Sequence, residues 1–143
     1  MFIGEYQYKV DEKGRVPLPP KFRRELKEGV VLAKGIGEKC IIVSATREWK
    51  RVSDKLAEHP LPGAKLRRLI RYTHGSAFDG SLDGQGRIKL PDTLRTYAGI
   101  GDTVIVVGAD ARVELWSAEG WKAEQAAGEQ EASEIIDNLE HSE

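Results

Sequence analysis

Apolar and polar positions along the chain fall into two periods. Short runs with period two, rich in β-branched residues, read as strands: Tyr6 to Val10, Arg15 to Leu18, Val30 to Lys34 and Cys40 to Ser44, then Phe78 to Leu82, Arg87 to Leu90, Thr103 to Val107 and Arg112 to Trp116. Between the second and third run of each set lies a short helical stretch, Pro20 to Leu26 or Asp92 to Ala98, closed by Gly29 or Gly101. Thr46 and Ser117 are candidate N-caps for helices over Glu48 to Glu58 and Glu119 to Ala127. Trp49, Val52 and Leu56 share one helical face, and Trp49 and Trp121 read as core anchors. A further helix spans Ala64 to His74, with Leu66, Leu69, Ile70 and Thr73 inward and Lys65, Arg67, Arg68 and Arg71 outward. The His59-Pro60-Leu61-Pro62-Gly63 segment separates the two helices.

The two sets of strands are one pattern written twice. At an offset of 72 residues, Asp11, Gly14, Arg15, Leu18, Pro19, Arg23, Gly29, Trp49 and Lys50 match Asp83, Gly86, Arg87, Leu90, Pro91, Arg95, Gly101, Trp121 and Lys122. This divides the chain into a first repeat with its helix (1–58), a linker and basic helix (59–74), a second repeat with its helix (75–128) and an acidic tail (129–143) expected to be disordered. A unit of about 45 residues buries too little apolar surface to stand alone. The fold expected is therefore α+β with a mainly β core: two tandem β-hairpin repeats, intertwined in a small barrel, with helices after each.

Asp-x-x-Gly-Arg is the centre of each repeat. The aspartate side chain can bond the backbone ahead of it and open a turn. Gly14 or Gly86 supplies the left-handed residue that closes it. Pro19 or Pro91 ends the strand that follows, and Pro17 suggests an edge position for the first copy. Each arginine is thereby expected at the tip of a two-stranded ribbon.

Charge sharpens the picture. The net charge is −1, but residues 1–74 hold 17 Lys and Arg against 9 Asp and Glu, and residues 75–143 hold 5 against 14. A basic half favours a polyanionic partner. The single cysteine, Cys40, excludes an internal disulfide and reads as core. No run of 18 apolar residues is present, and the opening Met1-Phe2-Ile3-Gly4-Glu5 lacks a basic-then-apolar leader, so the expected compartment is the cytoplasm.

Chemistry narrows the function classes. Two repeat-related aspartates suggest a proton-sharing dyad, but each has an arginine four residues on that would hold it ionised. His59, His74 and His141 are too scattered for a metal site, and Gly35-x-Gly37 lacks the Lys-Ser/Thr of a phosphate loop. No catalytic residue, metal, cofactor or small-molecule substrate is expected. A β-ribbon fits the roughly 12 Å major groove, where an arginine takes a guanine edge through two hydrogen bonds. Lys9 and Lys13, with Lys21, Arg23 and Arg24 beside them, are placed to meet phosphates; the second copy has Ser81, Gln85, Thr93, Arg95 and Thr96 there, so the first repeat is expected to dominate. The candidate DNA-binding residues are Lys9, Asp11, Lys13, Gly14, Arg15, Asp83, Gln85, Gly86 and Arg87. The competing reading is that Arg15 and Arg87 only clamp Asp11 and Asp83.

With Met1-Phe2-Ile3-Gly4, Asp11-Glu12-Lys13-Gly14-Arg15, Leu18-Pro19-x-Lys21-Phe22-Arg23 and Asp83-Gly84-Gln85-Gly86-Arg87 with Leu90-Pro91, residues 1 to about 127 resemble the bacterial MraZ family, relatives of the AbrB-type swapped-hairpin transcription factors. The resemblance implies a nucleoid-associated DNA-binding regulator of the division and cell-wall gene cluster, acting on its own promoter. It implies a ring-shaped homo-oligomer on short direct repeats of double-stranded DNA, contacted through the Asp11–Arg15 and Asp83–Arg87 loops, with no membrane. An adaptor ring that binds protein or RNA is the alternative.

Overall fold

The structure, a computed structural model, describes residues 1–141 of the 143. In chain order the elements are β1 (Glu5–Lys9), β2 (Arg15–Pro17), α1 (Pro20–Leu26), β3 (Val30–Lys34), β4 (Ile41–Ala45), α2 (Thr46–Ala57), α3 (Gly63–Gly75), β5 (Phe78–Gly80), β6 (Arg87–Lys89), α4 (Asp92–Ala98), β7 (Thr103–Ala109), β8 (Arg112–Trp116) and α5 (Ala118–Glu140). The class is α+β, as expected.

Strand pairing differs from the expected ribbons. β1 does not pair with β2. It runs antiparallel to β7 of the other repeat, Tyr6 opposite Val106. β5 pairs with β3, and β4 with β8. β2 pairs with β6, Val16 opposite Ile88. The result is an open six-stranded antiparallel sheet, β1-β7-β8-β4-β3-β5, and a two-stranded sheet, β2-β6. Among the described residues the end strands of the larger sheet, β1 and β5, are not paired with each other, so its ladder shows no closure into the expected barrel. Strands of three to seven residues make too few ladder bonds within one repeat, and each gains a partner in the other.

The large sheet is covered on both faces. Along β7, Val104 and Val106 enter one cluster, with Val16, Leu18, Phe22, Leu26, Ile88, Leu90 and Leu94, while Ile105 and Val107 enter a second, with Cys40, Ile42 and Trp116. Alternate residues of a strand face opposite sides, so a run such as Thr-Val-Ile-Val-Val has to bury both. Phe22 anchors the first cluster, edge-on to Phe2 at 5.2 Å and Tyr6 at 5.6 Å. Cys40 is fully buried, and burial, with Glu114 nearby, pushes its thiol up to about 12.

Several details correct the sequence reading. Thr46 is not an N-cap: α2 begins at Thr46 itself with no side-chain cap, and its amide donates to Gly29 O. Ser117 does cap α5, accepting from Gly120 N at 2.9 Å. α4 closes at Gly99, in the left-handed conformation at φ 66°, not at Gly101. Trp49 is half-buried, against His74 at 5.3 Å, and outside both clusters; Trp121 packs on Trp116 at the edge of the second. The acidic segment expected to be disordered is helical through Glu140, because its Ala, Glu and Gln residues are helix formers continuing a capped helix. Residues 142–143 of that segment lie outside the described residues.

Candidate nucleic-acid interface

The two Asp turns share one geometry. In the first, Asp11 Oδ1 accepts from the amides of Lys13 and Arg15, each at 2.9 Å, and Asp11 O accepts from Gly14 N at 3.0 Å. In the second, Asp83 Oδ1 accepts from Gln85 and Arg87 N, each at 2.9 Å, and Asp83 O from Gly86 N at 3.0 Å. Gly14 and Gly86 take φ of 77° and 73°, where a side chain is strained. Each turn closes locally, Asp11 N donating to Arg15 O at 3.0 Å and Asp83 N to Arg87 O at 2.9 Å. Beyond that bond the flanking strands part.

Both arginines do clamp their aspartates. Arg15 Nε donates to Asp11 Oδ2 at 2.7 Å and Arg87 Nε to Asp83 Oδ2 at 2.8 Å. The side chains stay partly open, at 29% and 27% exposure. Among the described residues, no Nη of either arginine makes a hydrogen bond. The clamp therefore fixes each guanidinium plane through Nε; Arg15 keeps its Nη edge for a further acceptor, while Arg87 Nη1 also faces the Asp11 carboxylate without hydrogen-bonding it. Hydrogen bonds from the Arg15 amide chiefly, then from its side chain and the Lys13 amide, hold Asp11 down at about 2. The Arg87 amide chiefly lowers Asp83 as well. With both carboxyls held ionised, the proton-sharing dyad has no basis here.

Cross-repeat pairing brings the two turns together. Val16 and Ile88 of the small sheet point into the core. Their neighbours Arg15, Pro17, Arg87 and Lys89 therefore share its other face, Arg15 opposite Lys89 and Pro17 opposite Arg87. Leu18 N donates to Gly86 O at 3.1 Å and Leu90 N to Gly14 O at 2.8 Å, so each turn also borders the other repeat's strand. Lys89 Nζ donates to Lys13 O. Each repeat's short helix reaches over too: Arg23 lies where a side chain at Gly86 would stand, and Arg95 lies beside Gly14.

Of the expected site residues, the pairing places Asp11, Lys13, Gly14, Arg15, Asp83, Gly86 and Arg87 in one assembly, with Gln85 exposed in the second turn. Lys9 stands exposed at the end of β1, opposite Thr103, with no bond to the turns among the described residues. Lys89 is the residue that sequence reasoning missed. It matches Pro17 in the repeat alignment, so no motif marks it, and only the β2–β6 register puts it beside Arg15. Because Lys89 and Arg95 stand against the first turn, its basic character comes from both repeats.

The family described as "MraZ protein, putative antitoxin-like" has a model that matches residues 1–71 and 74–138. The chain is 47% identical over 140 residues to the transcriptional regulator MraZ of Dehalococcoides mccartyi strain BAV1, covering 98% of this chain and 99% of the relative. The regulator of the same name from Syntrophomonas wolfei is 41% identical over 139 residues, 97% of this chain and 96% of that one. The one from Deinococcus radiodurans is 41% identical over 127 residues, 89% of each.

Proposed function

The chain belongs to the MraZ family, and we propose on that basis that it is a sequence-specific regulator of transcription that binds double-stranded DNA through the paired Asp turns. The observation that carries the proposal is the outward face of the small sheet. Two guanidinium groups, each oriented by its own aspartate, stand there beside Lys13 and Lys89. Oriented arginines suit bidentate contact with guanine, and the lysines suit phosphates.

The fuller proposal is a ring-shaped homo-oligomer that grips short direct repeats in its own promoter, within the division and cell-wall gene cluster, in the cytoplasm at the nucleoid. Several weak contacts on one DNA add up through effective concentration, by about 10²–10⁴ fold. The interlaced pairing of β1 with β7 and β5 with β3 supports tandem swapped hairpins of the AbrB type. Among the described residues, no helix is long and apolar enough to cross a membrane.

The test is duplex binding to the DNA upstream of the chain's own gene. Arg15→Ala and Arg87→Ala should each weaken it by about 1–3 kcal/mol per contacted base. Arg87→Lys keeps the charge but loses the fork, so it should erode specificity more than nonspecific affinity. Unchanged affinity in the double alanine variant overturns the assignment. Absence of duplex binding at low salt favours the adaptor reading.

A further inference from the structure

One helix carries charge that no described residue neutralises. α3 holds Lys65, Arg67, Arg68 and Arg71 and neither Asp nor Glu. All four are exposed, and none forms an ion pair among the described residues. α2, which meets α3 through Ser53 and His74, is different: Arg51 pairs with Glu48 at 2.6 Å and Lys50 with Asp54 at 2.7 Å.

Helix energetics alone do not favour the α3 arrangement. Like charges three or four residues apart, as in Lys65–Arg68, Arg67–Arg71 and Arg68–Arg71, repel on a helix surface. Lys65 also stands in the first turn, at the positive end of the helix dipole, with no acidic residue or side-chain cap there. At the helical period the three arginines fall within about 100° of arc, opposite the half-buried Leu66, Leu69, Ile70 and Thr73.

The cationic surface continues past the helix. Lys34 Nζ lies over the rings of Tyr72 and Tyr97, at 5.4 and 5.1 Å, and Lys39 Nζ over that of Tyr97 at 4.3 Å. Neither lysine has a carboxylate partner among the described residues, and Glu38 faces Arg112 at 3.7 Å instead. Uncompensated cations in this number suit a polyanion. Arg15 and Arg87 are each aimed by an aspartate, whereas the α3 arginines have no such partner. They offer charge without a fixed plane, which suits phosphates and not base edges. From Gly75 at the end of α3 to Asp83 of the second turn, the chain spans less than about 30 Å, within one duplex turn of about 34 Å.

We infer that the outer face of α3, with Lys34 and Lys39 beyond its end, binds the phosphate backbone of duplex DNA without reading its sequence. The inference rests on the DNA reading above and adds a second contact to it.

The test titrates the full chain carrying Arg67→Gln, Arg68→Gln and Arg71→Gln over a salt series. The probes are the duplex upstream of the chain's own gene and a random-sequence duplex of equal length. The slope of log affinity against log salt should fall by about 2–3 on both, with the preference between them kept. The same three positions changed to Lys should keep the parent slope. An unchanged slope in the Gln variant, a loss confined to the upstream duplex, or an equal loss in the Lys variant overturns the inference. So does a fall in sedimenting mass, which would make this face a contact between copies. A parent chain without salt-dependent duplex binding sinks the DNA reading and this contact together. A binding parent matched by the Gln variant sinks this contact alone.

Discussion

Arg87 Nη1 lies 3.7 Å from Oδ2 of Asp11, the aspartate of the other repeat. Arg87 thus faces two carboxylates, its own Asp83 at 2.8 Å and Asp11, while Asp11 faces two arginines. The ionic chain Arg15–Asp11–Arg87–Asp83 ties the turns into one unit. Its strength is screened, because the groups are partly exposed, and its value lies in orientation.

Acid should loosen the first turn late. The Asp11 carboxyl is depressed from its ordinary 3.8 to about 2, so its contribution is fully present above pH 4 and is lost as pH falls through about 2. Denaturant unfolding at pH 5, 3 and 2 should show a decline in this window that is smaller in Asp11→Asn, where the contribution of Asp83 remains. A carboxyl titration of Asp11 near 4 would contradict the geometry.

Gly86→Ala should destabilise more than an ordinary surface substitution. The residue sits at φ 73°, and a Cβ there would lie 2.1 Å from Arg23 Nε, which now donates to Leu18 O at 2.9 Å. Left-handed strain and the displaced arginine together should cost about 1–3 kcal/mol. Gly37→Ala, also at positive φ but with open space around it, isolates the strain alone. Equilibrium unfolding of the two variants gives the difference.

Lys13→Ala should separate charge from folding. Lys13 is exposed and its side chain makes no hydrogen bond among the described residues. Melting temperature should stay unchanged, while duplex affinity falls about equally across sequences and the slope of log affinity against log salt drops by about 1. A sequence-dependent loss would instead give Lys13 a base-reading role.

Phe22→Ala should unfold the protein under conditions the parent tolerates. Phe22 is 2% exposed and meets both Phe2 and Tyr6 edge-on. Loss of its ring should cost about 3–5 kcal/mol, which chemical denaturation would measure.

Much of this was legible along the chain because it is local. The Asp-x-x-Gly-Arg turns depend on bonds spanning two to four residues, and those residue types allow little else. The strand of residues 30–34, the Ser117 cap and the buried Cys40 likewise follow from nearby pattern, while β7 runs two residues past the expected Thr103 to Val107 stretch. The partner of each strand did not. Within a repeat, β1 and β2 flank one tight turn and read as a ribbon, yet β1 lies on β7 and β2 on β6. Two repeats of the same strand order offer each strand a partner in its own copy and one in the other, and local propensity does not choose between them. The choice falls to the pairing that buries both faces of the large sheet, a nonlocal quantity. That choice placed Lys89 beside Arg15, set Arg87 against Asp11, and made one surface from two turns 72 residues apart.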